Sequence, residues 1–191
     1  TLNGTPLANL ALVTMTVTNP ATPIGGGLVP SLDTTTGIVS VPVGTPAGTY
    51  TITYQICQIL NPTNCDTAIV TIPVSAAAID AVNDTIASTN GTNGNPNAGN
   101  VLTSNGNGPD TLNGAPATTS QVTISIVTPA TPVTPGAPVP SVDPLTGQIS
   151  IPANTPAGNY TITYQICEIL NPSNCDTAVV TITVGNGSPV A

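Results

Sequence analysis

The chain has 191 residues, 39% of them hydrophobic and only 2% aromatic, with 18 Gly, 21 Pro and no Trp or Phe. That length allows one or two domains, with small aliphatic cores rather than one large aromatic one. All eight formal charges are negative and there is no Lys, Arg or His, which excludes nucleic-acid partners, whose phosphates need cations, and anionic membrane surfaces.

Read from the amino end, residues 10–18 and 37–43 have the composition of strands, and the Pro-rich stretch 19–30 between them is an extended connection. Asp33–Gly37 is a turn, because Asp supports local turns and Gly supplies positive φ. In 50–57 the side chains alternate: Tyr50, Ile52, Tyr54 and Ile56 share one face, and Thr51, Thr53, Gln55 and Cys57 the other. After the loop QILNPTN (58–64), Ala68, Val70, Ile72 and Val74 form a second apolar face. A linker is expected over 75–83, then short strands near 84–88 and 100–104 within the Asn- and Gly-rich stretch 86–110. The pattern then returns: strands at 121–127 and 147–152, an extended connection at 128–140, a turn at Asp143–Gly147, and a further linker at 185–191. No segment reads as a helix, and no apolar run approaches the roughly 20 residues of a membrane span.

The return is a sequence repeat. PAGTYTITYQICQILNPTNCDTAIVTI (46–72) recurs as PAGNYTITYQICEILNPSNCDTAVVTI (156–182), with Cys57 reappearing 110 residues later as Cys167. TLNG at Thr1 returns at Thr111 with the same offset, and a one-residue slip near Pro20 and Pro129 is compensated before Pro30 and Pro140. Ala191 corresponds to Ala81, so the first copy lacks a counterpart of 82–110. Two readings follow. The chain is a window on a longer array, as a start at Thr1 rather than Met also suggests, or a neighbouring chain donates the missing strands.

The four cysteines fix a register. If Cys57 faces Cys65 across an antiparallel hairpin, Tyr54 faces Ala68, Ile52 faces Val70 and Tyr50 faces Ile72, so core side chains meet core side chains. Directly opposed residues are close enough for a disulfide. The second copy pairs Cys167 with Cys175 and Tyr164 with Ala178 in the same way. Two matched pairs indicate an oxidising, extracellular setting.

These hairpins resemble the immunoglobulin-like or cadherin-like tandem repeats of very large surface adhesins of Bacteroidota (Flavobacterium-type bacteria). The resemblance rests on the Tyr-rich strand, the NCDTA run and AVNDT at 81–85, and it covers both copies. It implies export to the bacterial cell surface, often by type IX secretion, and service in adhesion, gliding or filament formation. The PAG-x-Tyr segment also resembles the tyrosine corner of immunoglobulin-like folds, with Tyr50 and Tyr160 in that role. The short Asp-Thr-apolar runs resemble the motif that Bacteroidota use for O-glycosylation, which implies glycans at Thr67, Thr85, Thr111 and Thr177, and at Thr34 in the related Asp-Thr-Thr run.

The remaining chemistry is sparse. Two Cys in one hairpin, with no His, suit a structural staple better than zinc or a redox pair. Asp80, Asp84 and Asp110 are candidate calcium ligands at the junction of the copies, although such sites want six to eight oxygens. No other cofactor is implied. A Ser or Cys nucleophile needs an activating base, and no carboxylate pair suggests hydrolysis, so the chain is read as not an enzyme. Thr-x-Thr arrays (Thr14, Thr16 and Thr18; Thr51 and Thr53; Thr181 and Thr183) suit solvated strand faces, or a surface for ice or sugar.

The expectation is an all-β chain of tandem immunoglobulin-like β-sandwich repeats of about 110 residues: 1–78 lacking its first strands, 79–185 complete, and 186–191 starting a linker. Each repeat is expected to have roughly seven to nine strands and to bury its own core. The function expected is that of stalk or spacer repeats of a secreted bacterial surface adhesin or extracellular filament. The alternatives are a filament subunit completed by strand donation and a carbohydrate- or ice-binding module. The partners expected are like repeats, and surface glycans under the last reading, without direct membrane insertion.

Overall fold

The structure, a computed structural model, describes residues 10–186. The TLNG run at Thr1 and residues 187–191 of the expected linker lie outside them. The chain divides into two compact units, Thr1–Ala76 and Ala77–Ala191. Among the described residues every regular element is a strand, so the chain is all-β, as its period-two patterning requires.

In unit 1, β1 (Val13–Asn19), β4 (Gly48–Gln58) and β5 (Asn61–Val74) form one sheet in the order β1-β4-β5. The two-residue strands β2 (Ser31–Leu32) and β3 (Val39–Ser40) form another. The β4–β5 register pairs Cys57 with Cys65, Tyr54 with Ala68, Ile52 with Val70 and Tyr50 with Ile72. That is the register derived from side-chain alternation.

Among its described residues unit 2 has ten strands: β6 (Ile79–Asp80), β7 (Asp84–Asn90), β8 (Asn95–Asn100), β9 (Thr111–Leu112), β10 (Ala115–Pro116), β11 (Val122–Thr128), β12 (Ser141–Val142), β13 (Gln148–Ile151), β14 (Gly158–Glu168) and β15 (Cys175–Gly185). One sheet runs β11-β14-β15-β7 and a second β12-β13-β8; β10-β9-β6 is a small third. Strand β7 lies parallel to β15, whereas the β14–β15 hairpin repeats the register of β4–β5. Tyr160, Ile162, Tyr164 and Val180 from the first sheet meet Val142, Ile149 and Ile151 from the second, and Val101 from the turn after β8, in one buried cluster. The result is an immunoglobulin-like sandwich.

Two expectations need correction. The strand placed near 100–104 is β8, at Asn95–Asn100, and 101–103 form a turn. Asn and Gly are poor strand formers, yet β8 is held by its ladder to β13. A Cβ at Gly99 would sit 2.8 Å from Ile86 Cδ1, the movable end of a side chain, so a residue that reads as a loop signal also suits the close approach of a neighbouring strand. The linker expected over 75–83 is bound into unit 2 from Ala77 onward, where Ile79 and Asp80 pair with β9. Each unit buries a core of its own, and the two differ in size. Among the described residues unit 2 has 18 buried hydrophobic residues in one cluster, whereas the cluster of unit 1 holds three, Ala21, Tyr50 and Ile52, with Val13 buried apart from it. Nothing in the described part of unit 1 occupies the places of β7 and β8.

Local chemistry builds the same turn twice. In each unit an Asp side chain accepts hydrogen bonds from the residues two and three further on: Thr35 and Thr36 for Asp33, Leu145 and Thr146 for Asp143. Gly37 and Gly147 then close the turn at φ 74° and 75°, a conformation that costs Gly little.

Candidate functional site

Three structural sites emerge from the repeated hairpin. At its tip, Cys57–Cys65 and Cys167–Cys175 are disulfides with Cα–Cα distances of 4.1 Å, and no described cysteine is free. Reduction is expected to destabilise each unit by about 2–3 kcal/mol, because the short loop no longer restricts the unfolded chain. Urea midpoints with and without a thiol reductant measure this, and coincident midpoints would contradict it.

At the base of each hairpin, the Tyr50 hydroxyl donates to the Pro46 carbonyl at 2.9 Å and the Tyr160 hydroxyl to that of Pro156 at 2.8 Å. Both rings are 2% exposed. A buried phenol needs a partner for its hydroxyl, and the chain reversal at Pro-Ala-Gly supplies one four residues upstream.

The third site was not foreseen from the sequence. Tyr164, fully buried in unit 2, places its hydroxyl 3.1 Å from both carboxyl oxygens of Asp110, 3.2 Å from Asp84 Oδ2 and 3.1 Å from the Val82 carbonyl. Asp84 is 2% exposed and Asp110 not at all. Asp84 also accepts from Asn105 Nδ2 at 3.0 Å, and Asp110 from the Val82 N–H at 2.7 Å. Burial pushes the Asp84 carboxyl up to about 7, with Asp110's charge adding to the effect. Burial likewise pushes Asp110 to about 6 against the pull of the Val82 and Tyr164 hydrogen bonds. The Tyr164 hydroxyl is driven upward by the same burial and by both acids, and stays protonated. One phenolic proton cannot serve every acceptor around it. A proton on one carboxyl resolves the shortage, donating to the phenol oxygen. The signal available in the sequence was a Tyr on a core face, which needs a polar partner.

The candidate calcium ligands are therefore partly brought together. Asp84 and Asp110 converge on Tyr164 and are engaged in internal hydrogen bonds, and Asp80 is exposed on β6. Among the described residues no group of three or more acids, His or Cys is placed to hold a metal. Asp176 instead accepts from the Ala81 N–H at 2.9 Å and so anchors the entry to unit 2.

Of the candidate glycosylation positions, Thr67, Thr85 and Thr177 are exposed, whereas Thr34 and Thr111 are half-buried. Thr14, Thr16, Thr18, Thr51, Thr181 and Thr183 face solvent and Thr53 is half-buried. Asp33 is fully exposed and is held near 2, chiefly by the Thr35 hydroxyl.

Fold and site together define a disulfide-stapled all-β chain with a repeated hairpin. No protein-family model matches the chain, and no curated protein matches it. Among solved structures it is similar to the human Desmocollin-1 ectodomain (13% identity, TM-score 0.42, covering 94% of this chain and 35% of that one). It is also similar to extracellular cadherin domains 3–6 of Protocadherin Gamma B2 (11% identity, TM-score 0.38, covering 95% and 44%) and to human CDH23 EC21-23 (17% identity, TM-score 0.37, covering 95% and 68%). The chain thus spans about a third of the desmocollin ectodomain and less than half of the protocadherin fragment.

Proposed function

We propose that this chain forms structural repeats of an extracellular protein, a stalk or spacer in a bacterial surface adhesin or filament, and that it catalyses no reaction. The observation carrying this reading is the near-copy hairpin, stapled by a disulfide in each unit and built almost entirely from side chains with no chemistry to offer. Repetition without a divergent site serves reach rather than catalysis. Disulfides persist outside the reducing cytosol, and the net charge of −8 favours solubility and repulsion between neighbours. Immunogold labelling of intact cells of the source organism with antibody to unit 2 tests the reading. Surface label along extended rods is expected, and label found only after permeabilisation would refute it.

The exposed Thr67, Thr85 and Thr177 support O-glycosylation of the Asp-Thr-apolar runs. Sugar there would be bulky and solubilising, and on Thr67 it would stand beside the edge of β5, which no described strand pairs. The intact mass of native material is expected to exceed that of the bare chain, with the excess lost in variants carrying Val at these three positions. A mass equal to the bare sequence would end the proposal.

A further inference from the structure

The two hairpins are nearly the same sequence in two different surroundings, so unit 2 shows what the hairpin of unit 1 is built to hold. In unit 2 the segment 77–110 covers β15 and the Tyr164 hydroxyl. The Asn174 amide donates to the Ala77 carbonyl at 2.8 Å, Asp176 Oδ2 accepts from the Ala81 N–H at 2.9 Å, and Tyr164 donates to the Val82 carbonyl at 3.1 Å. Strand β7 then adds in parallel to the edge of β15, pairing Asp84 with Val180 and Ile86 with Ile182. Under that cover Ala178, Val180, Ile182 and Val184 are all at most 3% exposed.

The described part of unit 1 carries the same residues without that cover. Asn64, Asp66 and Tyr54 stand where Asn174, Asp176 and Tyr164 stand in unit 2. Asp66 Oδ1 accepts from the Thr67 N–H, just as Asp176 Oδ1 does from that of Thr177, but Asp66 Oδ2 has no counterpart of the Ala81 bond among the described residues. Ala68 is exposed, and Val70, Ile72 and Val74 are only half-buried. Among the described strands β5 is the edge of its sheet, and a long open edge with an apolar face is a template for another strand. The one obstacle, Pro73, corresponds to Thr183, where β7 bulges out of register between Ile182 and Val184; the missing N–H therefore falls at a break in the ladder.

We infer that the edge and apolar face of β5 are an acceptor for an extended segment of a like repeat, one carrying the residue pattern of 77–110 and adding in parallel beside Val70–Val74. Main-chain pairing supplies the attachment, and side chains at alternate positions supply the selection. The selecting features are an Asp placed to meet the Tyr54 hydroxyl and an apolar residue at the position of Ile86. The inference stands apart from the stalk reading, because a chain that takes this segment but never reaches a cell surface would keep the one and lose the other.

The test mixes the full chain with a labelled synthetic peptide of residues 77–110. Saturable one-to-one binding by fluorescence anisotropy is expected, with slowed amide exchange at Ile69–Ile72. Ile72→Asp is expected to abolish binding, and Tyr54→Phe, which leaves the fold alone, to weaken it about tenfold. A scrambled peptide should not bind. Absence of saturable binding, or binding unchanged in both variants, overturns the inference. Chains that instead pair with each other through β5 and exclude the peptide would make a second copy the occupant, and would equally overturn it.

Discussion

Raising the pH from 5 to 8 is expected to lower the melting temperature of unit 2 by roughly 10 °C, a loss on the order of 2–4 kcal/mol. The cause is the acid pair around Tyr164. Both carboxyls have folded-state values above the ordinary 3.8, Asp84 at about 7 and Asp110 at about 6, so the folded chain holds their protons more tightly than the unfolded chain. That contribution is fully present below 3.8 and is lost as the pH rises through 6 and 7. The neighbouring charges push the same way: Asp80 and Asp176 both raise Asp110, and the chain has no Lys, Arg or His to oppose them. Asp143 works in the opposite sense. Its exposed carboxyl is lowered by the Leu145 N–H and the Thr146 hydroxyl, so its contribution is present above 3.8 and is lost as the pH falls further. Unit 2 should therefore be most stable near about pH 4, where both buried carboxyls are protonated and Asp143 still contributes. The variant Asp84→Asn keeps an acceptor for Asn105 and removes one titration. It should melt above the parent at pH 8 and flatten the slope. A parent melting temperature that climbs between pH 5 and pH 8 would refute this account.

The second large effect is an asymmetry between equivalent residues. Ile182→Ala is expected to destabilise unit 2 by about 3–4 kcal/mol, since it empties a fully buried site in a close-packed cluster. Ile72→Ala, the same change at the same place in the repeat, should cost unit 1 only about 1 kcal/mol, because that side chain is half-buried and leaves no closed cavity. Urea unfolding of both variants, read by probes specific to each unit, gives the comparison. Equal losses would mean that β5 is covered as thoroughly as β15.

How much could be read beforehand depended on the kind of signal. Tyr50, Ile52, Tyr54 and Ile56 alternate so strictly, against a second alternating run tied by two Cys, that the hairpin and its register follow from side-chain period and the cysteine pairing together. The turns at Asp33 and Asp143 follow from local hydrogen bonding. Strand β8 was displaced because its residues, Asn-Pro-Asn-Ala-Gly-Asn, carry turn chemistry; what holds them extended is pairing with β13 some fifty residues away. The acid pair was half visible. Asp84 and Asp110 stood out as acids in a chain with few, but their meeting around Tyr164 depends on three elements converging, which no local pattern records. The thin core of unit 1 was equally hidden, since its hairpin has the apolar pattern of a buried one.

The parallel pairing of β7 with β15 has a consequence for load. The strand near the entry to unit 2 and the strand near its exit lie side by side and point the same way, joined from Asp84–Val180 to Asn90–Gly185. Tension applied at the two ends slides these strands lengthwise past each other. The bonds between them are then strained together in shear, not opened one at a time like a zip, and the rate of rupture under pulling rather than the resting free energy sets how long the unit holds.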